Sequence, residues 1–214
     1  MLNKTIIGKV ILVCSLIFGS FGFSSCDSDE KITQELPADS YLKKAKEILN
    51  GDIVLSTRAT MNGVDKTLLP QGCPTIFGFE WKDDDKMIID LTDFTVGVMP
   101  FAVTFRCACK LMQLNTWEKD EYKGEGWIKF LGKDGNVTSQ GDKEADNQTG
   151  SGASVQGYIN VNTLETEFII NYNMMNVRTE TFLQKIDKSR INNFEQEFYQ
   201  YEEDLAKYKE EHGL

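Results

Sequence analysis

From Phe101 to Leu111 every second residue is drawn from one set. Phe101, Val103, Phe105, Cys107, Cys109 and Leu111 share one face, and Thr104, Arg106 and Lys110 occupy the other. Successive side chains of a strand point to opposite faces. Strict alternation therefore describes a strand with one dry face and one wet face, as in an antiparallel sheet or barrel. The same period runs through Ile53, Leu55, Thr57 and Ala59, and through Phe77, Phe79 and Trp81. It returns over Met87–Phe94, Trp127–Leu131 and Val155–Val161. Leu164, Phe168, Ile170, Tyr172 and Met174 mark a seventh run, and Val177–Ile186 an eighth. The links Asp83-Asp84-Asp85, Asn162-Thr163 and Met175-Asn176 are short enough for hairpins. Eight sequential strands predict a mainly β fold, an eight-stranded antiparallel meander whose closure into a barrel removes exposed edges. Gly132 to Ala153, rich in Gly, Asp, Asn, Ser and Lys, lacks large apolar periodicity and reads as a long functional or disordered loop.

Helical spacing flanks the strands. Asp39 or Ser40 can cap a short helix in which Leu42, Ala45 and Leu49 fall on one face, with Asn50-Gly51 as its stop. From Ser189 onward, Phe194, Phe198, Tyr201, Leu205 and Tyr208 recur at spacings of four and three. They form an amphipathic stripe that packs along the outside of the barrel or offers an edge to a partner.

The N-terminus sets the compartment. Lys4 and Lys9 precede an apolar run, Val10 to Phe23, and then Ser24-Ser25-Cys26. This is the layout of a secretory signal. With a cysteine at its end, Phe23-Ser24-Ser25-Cys26 resembles a bacterial lipobox, although Phe23 and Ser25 replace the usual Leu and the usual Gly or Ala. The implied order is a signal peptide over 1–25, a flexible tether over 26–38, a β-barrel domain with its leading helix over 39–188, and a C-terminal amphipathic helix over 189–214. Acyl chains on Cys26 would hold the domain on a membrane, each buried methylene contributing roughly 0.8 kcal/mol. The formal charge of the whole chain is −10, and losing Lys4 and Lys9 makes it two units more negative. So acidic a surface repels phosphate backbones, and nucleic acid is not expected as a partner.

Chemistry is sparse. His212, the one histidine, is the third residue from the end, which argues against Ser–His and Cys–His catalysis. No phosphate loop or metal-binding helix motif occurs, so no catalytic residue, metal site or cofactor is expected. Asp83, Asp84 and Asp85 lack the alternate spacing of a calcium loop, and with Glu165 and Glu167 they read as solvated charges. Of the cysteines beyond Cys26, Cys107 and Cys109 are same-face neighbours along a strand and poorly placed to bridge one another. Cys73 then pairs with one of them, or all three are small buried hydrophobes. Trp117, Tyr122 and Trp127 lie in and after the link between the fourth and fifth strands, beside Lys119, Asp120 and Glu121. Aromatic faces beside polar groups suit ligand contact. The alternative places Trp127 in the core and Trp117 as a plug at one barrel end.

The lipobox, the short leading helix, the meander from Asp52 to Ile186 and the segment Leu91-Thr92-Asp93-Phe94-Thr95-Val96-Gly97-Val98-Met99-Pro100-Phe101 together resemble the calycin-like, or lipocalin-like, lipoproteins of Bacteroidetes. No Gly-x-Trp of the true lipocalins opens the first strand. The resemblance implies a non-enzymatic binding module for a small apolar or amphipathic ligand, anchored at an outer membrane on its cell-surface or periplasmic face. It supplies no catalytic residues. The acidic Asp27-Ser28-Asp29-Glu30 fits a surface-export signal in that group, whereas Asp27 beside the cysteine fits inner-membrane retention in enteric bacteria. The competing expectation is a structural or interaction lipoprotein of a cell-surface complex, built as a β-sandwich of fimbrial or glycan-handling type. Phe77, Phe79, Phe101, Phe105, Phe168 and Tyr172 are large enough to fill a barrel and leave no room for a ligand.

Overall fold

The computed structural model describes residues 35–214; Cys26 and the signal and tether segments ahead of Glu35 lie outside them. Ten strands and three α-helices follow the order α1 (Asp39–Ile48), β1 (Gly51–Met61), β2 (Val64–Asp65), β3 (Cys73–Trp81), β4 (Lys86–Phe94), β5 (Phe101–Met112), α2 (Thr116–Glu121), β6 (Trp127–Gly141), β7 (Gln148–Asn160), β8 (Glu165–Asn171), β9 (Val177–Thr181), β10 (Gln184–Lys185) and α3 (Phe194–His212). Consecutive long strands pair antiparallel from β3 through β9, and β1 pairs with β3 along one edge and with β9 along the other. The result is a closed eight-stranded barrel of β1 and β3–β9, with the two-residue β2 and β10 attached to β1 and β8. Closure satisfies backbone groups that an open sheet would leave bare.

Alternation selects the inward side chains. All six apolar residues from Phe101 to Leu111 are buried, as are Ile53, Leu55, Phe77, Phe79, Met87, Ile89, Phe130, Phe168, Ile170 and Tyr172. The rings interlock: Phe168 meets Phe77 at 4.9 Å and Phe130 at 5.8 Å between centroids, and Phe105 meets Tyr172 at 5.6 Å, all edge-on. Gly157 of β7 lets two of them close. A Cβ there would stand 2.2 Å from the Phe130 ring and 2.5 Å from Phe168 Cβ. The interior is a packed aromatic core rather than an open calyx.

Both flanking helices join this core. Leu42, Ala45 and Leu49 of the α1 segment are buried. Lys46 pairs with Asp84 at 3.6 Å and Lys44 donates to Asn162 at 2.8 Å, so α1 covers the barrel end where those turns lie. On α3, Tyr201 and Leu205 are buried and Phe198 and Tyr208 pack partly against the core. Tyr201 donates to Thr67 O at 3.2 Å, and Lys209 donates to Gly97 O at 3.0 Å. The stripe is therefore spent on the barrel, and the choice between packing and partner resolves toward packing for those four residues.

Two expectations about the strands need correction. Gly132–Ala153 is not a loop, because β6 runs on to Gly141 and β7 begins at Gln148, with Val137 opposite Gly150 and Ser139 opposite Gln148. Register shifts near Gly132 and Gly135 interrupt the period, as bulges do. The eighth run is also broken. After Thr181 the chain leaves the sheet at Phe182 and Leu183, and β10 returns to pair with β8.

Candidate functional site on the outer wall

The link after β5 contains a one-and-a-half-turn helix that lies on the outside of the barrel. Asn115 caps α2: its side chain accepts from Glu118 N at 2.9 Å, and Asn115 N donates to the Glu118 carboxylate at 2.7 Å. This reciprocal box fixes where the helix starts. Glu118 and Tyr122 are four apart, so they project from one side of the turn.

Beneath them runs a cross-strand row of outward side chains. Lys129 of β6 stands opposite Tyr158 of β7, which stands opposite Glu167 of β8. Glu118 receives Lys129 Nζ at 2.8 Å and the Tyr158 hydroxyl at 3.0 Å. Tyr122 stacks on Tyr158 with centroids 4.0 Å apart, and its hydroxyl donates to the Glu167 carboxylate. Trp127 leans on Tyr122 at 4.9 Å. Tyr158 is buried although it points away from the core, because the α2 link covers it.

These contacts set the electrostatics. Burial opposes ionisation of Glu118, but hydrogen bonds from Lys129, the Asn115 N–H and Tyr158 together hold its carboxyl below the ordinary value. Burial first, then the bond to Glu167, pushes the Tyr122 hydroxyl well above its ordinary value. Burial also raises Tyr158 to about 12, with Gln156 acting against it and Glu118 with it. Both phenols are neutral donors at physiological pH. Their hydrogen bonds to carboxylates are charge-assisted and stronger than neutral ones.

Beside this cluster lies a groove of about 440 Å³, lined by Tyr122, Tyr158, Phe168, Phe182, Leu183, Gln156, Arg58, Glu121, Glu167 and Glu180 among others. Its floor is a second outer row, Gln156–Ile169–Glu180–Arg58, one step along the wall. The Arg58 guanidinium lies 5.3 Å from the centre of the Phe182 ring. Glu121, Glu167 and Glu180 line the groove as well, with Glu180 3.9 Å from Arg58 and 3.5 Å from Arg178. On the other side of Tyr122 a second groove, of about 490 Å³, runs past Trp127 and Gly126 to Pro37 and Tyr41 at the start of α1.

The three aromatic candidates separate. Tyr122 and Trp127 come together, but Trp117 is 83% exposed and neither groove includes it. Trp117 plugs no barrel end, and Trp127 is a half-buried outer-wall residue. Sequence reasoning missed Tyr158, Glu118, Lys129 and Arg58, and it treated Glu167 as a solvated charge. The available signal was Asn115-x-x-Glu118, a capping box that announces α2.

The remaining candidates are quieter. Asp83, Asp84 and Asp85 pair with three different lysines, Lys86 at 3.1 Å, Lys46 at 3.6 Å and Lys110 at 3.9 Å. Among the described residues no group of three or more His, Cys, Asp or Glu side chains could hold a metal ion. His212 stacks on Tyr208 at 3.9 Å, and its Nδ1 lies 2.8 Å from Tyr208 O at the exposed end of α3. Cys73, Cys107 and Cys109 are free, buried thiols.

Residues 26–213 match the family described as a domain of unknown function, DUF4903. The chain belongs to the DUF4903 family. No curated protein and no solved structure shows significant similarity to it. In this DUF4903 domain the closed barrel is a scaffold with its interior filled, and the grooves beside Tyr122 lie on its outer wall.

Proposed function

We propose that this DUF4903 domain is a calycin-like, non-enzymatic binding module, held on an outer membrane through Cys26, that takes a small amphipathic ligand on its outer wall. The ligand chemistry is an apolar body with a cationic head. The carrying observation is the pairing of the Tyr122–Tyr158–Trp127 cluster with the acidic groove beside it, on a barrel whose interior is occupied by rings. Large interlocked side chains leave the wall, rather than the lumen, as the place for a ligand. The stacked pair is held by hydrogen bonds to Glu167 and Glu118, and preorganisation of this kind lowers the entropy cost of binding. Anchoring draws support from the lipobox-like Phe23-Ser24-Ser25-Cys26, and from a family match that begins at Cys26. The competing reading, a subunit of a surface complex docking through α3, loses its main surface, because Tyr201 and Leu205 are buried against the barrel.

The test is a calorimetric titration of the full chain with dodecyltrimethylammonium, kept below its micelle-forming concentration, against dodecyl sulfate as the anionic control. The reading expects the cation to bind and the sulfate not to. It also expects Tyr122→Ala to weaken cation binding about tenfold, the equivalent of one cation–aromatic contact of about 1.4 kcal/mol. Equal affinities for the two amphiphiles, or an unaffected Tyr122→Ala, would overturn it. Anchoring is tested separately by labelling with a palmitate analogue, which Cys26→Ala should abolish.

A further inference from the structure

A second place in the fold combines reactive groups with a gap shaped around them. Cys107 and Cys109 both point inward from β5, and each is about 2% exposed. Opposite them, β6 carries Gly132 and Gly135 on either side of the exposed Lys133 and Asp134, where the register with β5 and β7 shifts. Asp134 has φ of 59°, as an extra residue turned out of the ladder requires. A Cβ on Gly132 would lie 2.7 Å from Cys107 Sγ and 2.7 Å from Cys109 Sγ. Two atoms each 2.7 Å from one point are at most twice that distance apart. The missing methyl group is therefore what lets both sulfurs occupy the same space. Cys107 Sγ also lies 3.6 Å from Ala108 O and 3.7 Å from Lys133 O.

The geometry points to a two-sulfur site at Cys107 and Cys109 that takes a single soft, two-coordinate d10 cation of the Cu(I) class. Thiolates select soft ions. Zinc and iron–sulfur centres need about four ligands, and among the described residues no third His, Cys, Asp or Glu joins the pair. A disulfide fits less well. Residues two apart on a strand are separated by about 6.7 Å, the long limit of Cα separation for an S–S bond. A bridging ion bonded to each sulfur spans thiolates that stand further apart than an S–S bond allows. Cys73 lies on β3, buried, with its Sγ donating to Pro74 O at 3.4 Å. The Asp134 carboxylate of the exposed bulge lies near enough to Cys107 to act on it electrostatically.

The experiment uses the full chain carrying Cys14→Ala and Cys26→Ala, which removes the thiols outside the described residues. Anaerobic Cu(I) is titrated against a competing chelator. One ion per chain is expected, lost or weakened at least about a hundredfold by Cys107→Ser or Cys109→Ser and unchanged by Cys73→Ser. Circular dichroism reports whether each variant folds. Should the serine variants fail to fold, X-ray absorption of the loaded parent decides, with a first shell of two sulfurs expected. No stoichiometric binding, binding that survives loss of both Cys107 and Cys109, or a single-sulfur shell would each overturn the proposal.

Discussion

Replacing Phe168 with alanine tests whether the barrel is a packed core or a vessel. The Phe168 side chain is 2% exposed and meets three rings, Phe77 at 4.9 Å, Phe130 at 5.8 Å and Phe79 at 6.4 Å. A buried Phe→Ala change costs about 3–5 kcal/mol, combining lost transfer free energy with the cavity left behind. Three edge-on neighbours, each pair contributing about 0.5–1.5 kcal/mol beyond area, place this site in the upper half of that range. β-strands on both sides hold the wall in place, so collapse around the gap is limited. We expect a loss of about 4 kcal/mol in urea unfolding, seen as a lower midpoint with an unchanged slope. The melting temperature should fall by roughly 8–16 °C for a domain of this size. A loss below about 2 kcal/mol at unchanged slope would mean that the ring borders open space. The filled interior would then be wrong, and a ligand in the lumen would return as the better reading.

Other outcomes follow from the same packing. Gly157→Ala should destabilise by at least about 1–3 kcal/mol, because its methyl group meets the Phe130 ring; a neutral melt would show that the rings have room to move. Leu205→Ala should cost about 2 kcal/mol in the isolated chain, since α3 seals against the barrel there, whereas a side chain reserved for a partner would leave the melt unchanged. Glu118→Gln should lower stability at neutral pH by weakening the Lys129 pair. The folded-state carboxyl lies below 4.5, so its contribution is fully present above that pH and is lost as pH falls through the lower folded value. The gap between wild type and Glu118→Gln, followed by melts from pH 7 downward, should therefore hold to about 4.5 and close below it. A gap that widens on acidification would reverse the sign of this argument.

The barrel was readable because its inward faces are large and regular. The run from Phe101 to Leu111 has no break, and all six of its alternating residues are buried. The distal halves of β6 and β7 were unreadable for the opposite reason. Inward positions there are Gly132, Gly135, Val137, Ser139 and Ala153, so alternation persists in burial but not in hydrophobicity, and register shifts break its phase. The candidate site was half legible. Tyr122 and Trp127 could be found as aromatics in a link. Their partner Tyr158 could not, because an outward tyrosine is indistinguishable from an ordinary strand residue until α2 is laid over it. The Cys107–Cys109 proximity was hidden similarly: strand spacing alone keeps such residues apart, and the missing side chain of Gly132 on the neighbouring strand leaves the gap that both sulfurs face.

The proposed ligand docks on the outer wall beside Tyr122 and not inside the barrel. Aromatic and methyl NMR resonances followed during titration with dodecyltrimethylammonium test this directly. Shifts are expected at Tyr122, Tyr158, Trp127, Ile169 and Leu183, with Phe77, Phe105 and Tyr172 unmoved. Shifts concentrated on Phe77, Phe105 and Tyr172, with the Tyr122 cluster silent, would contradict it.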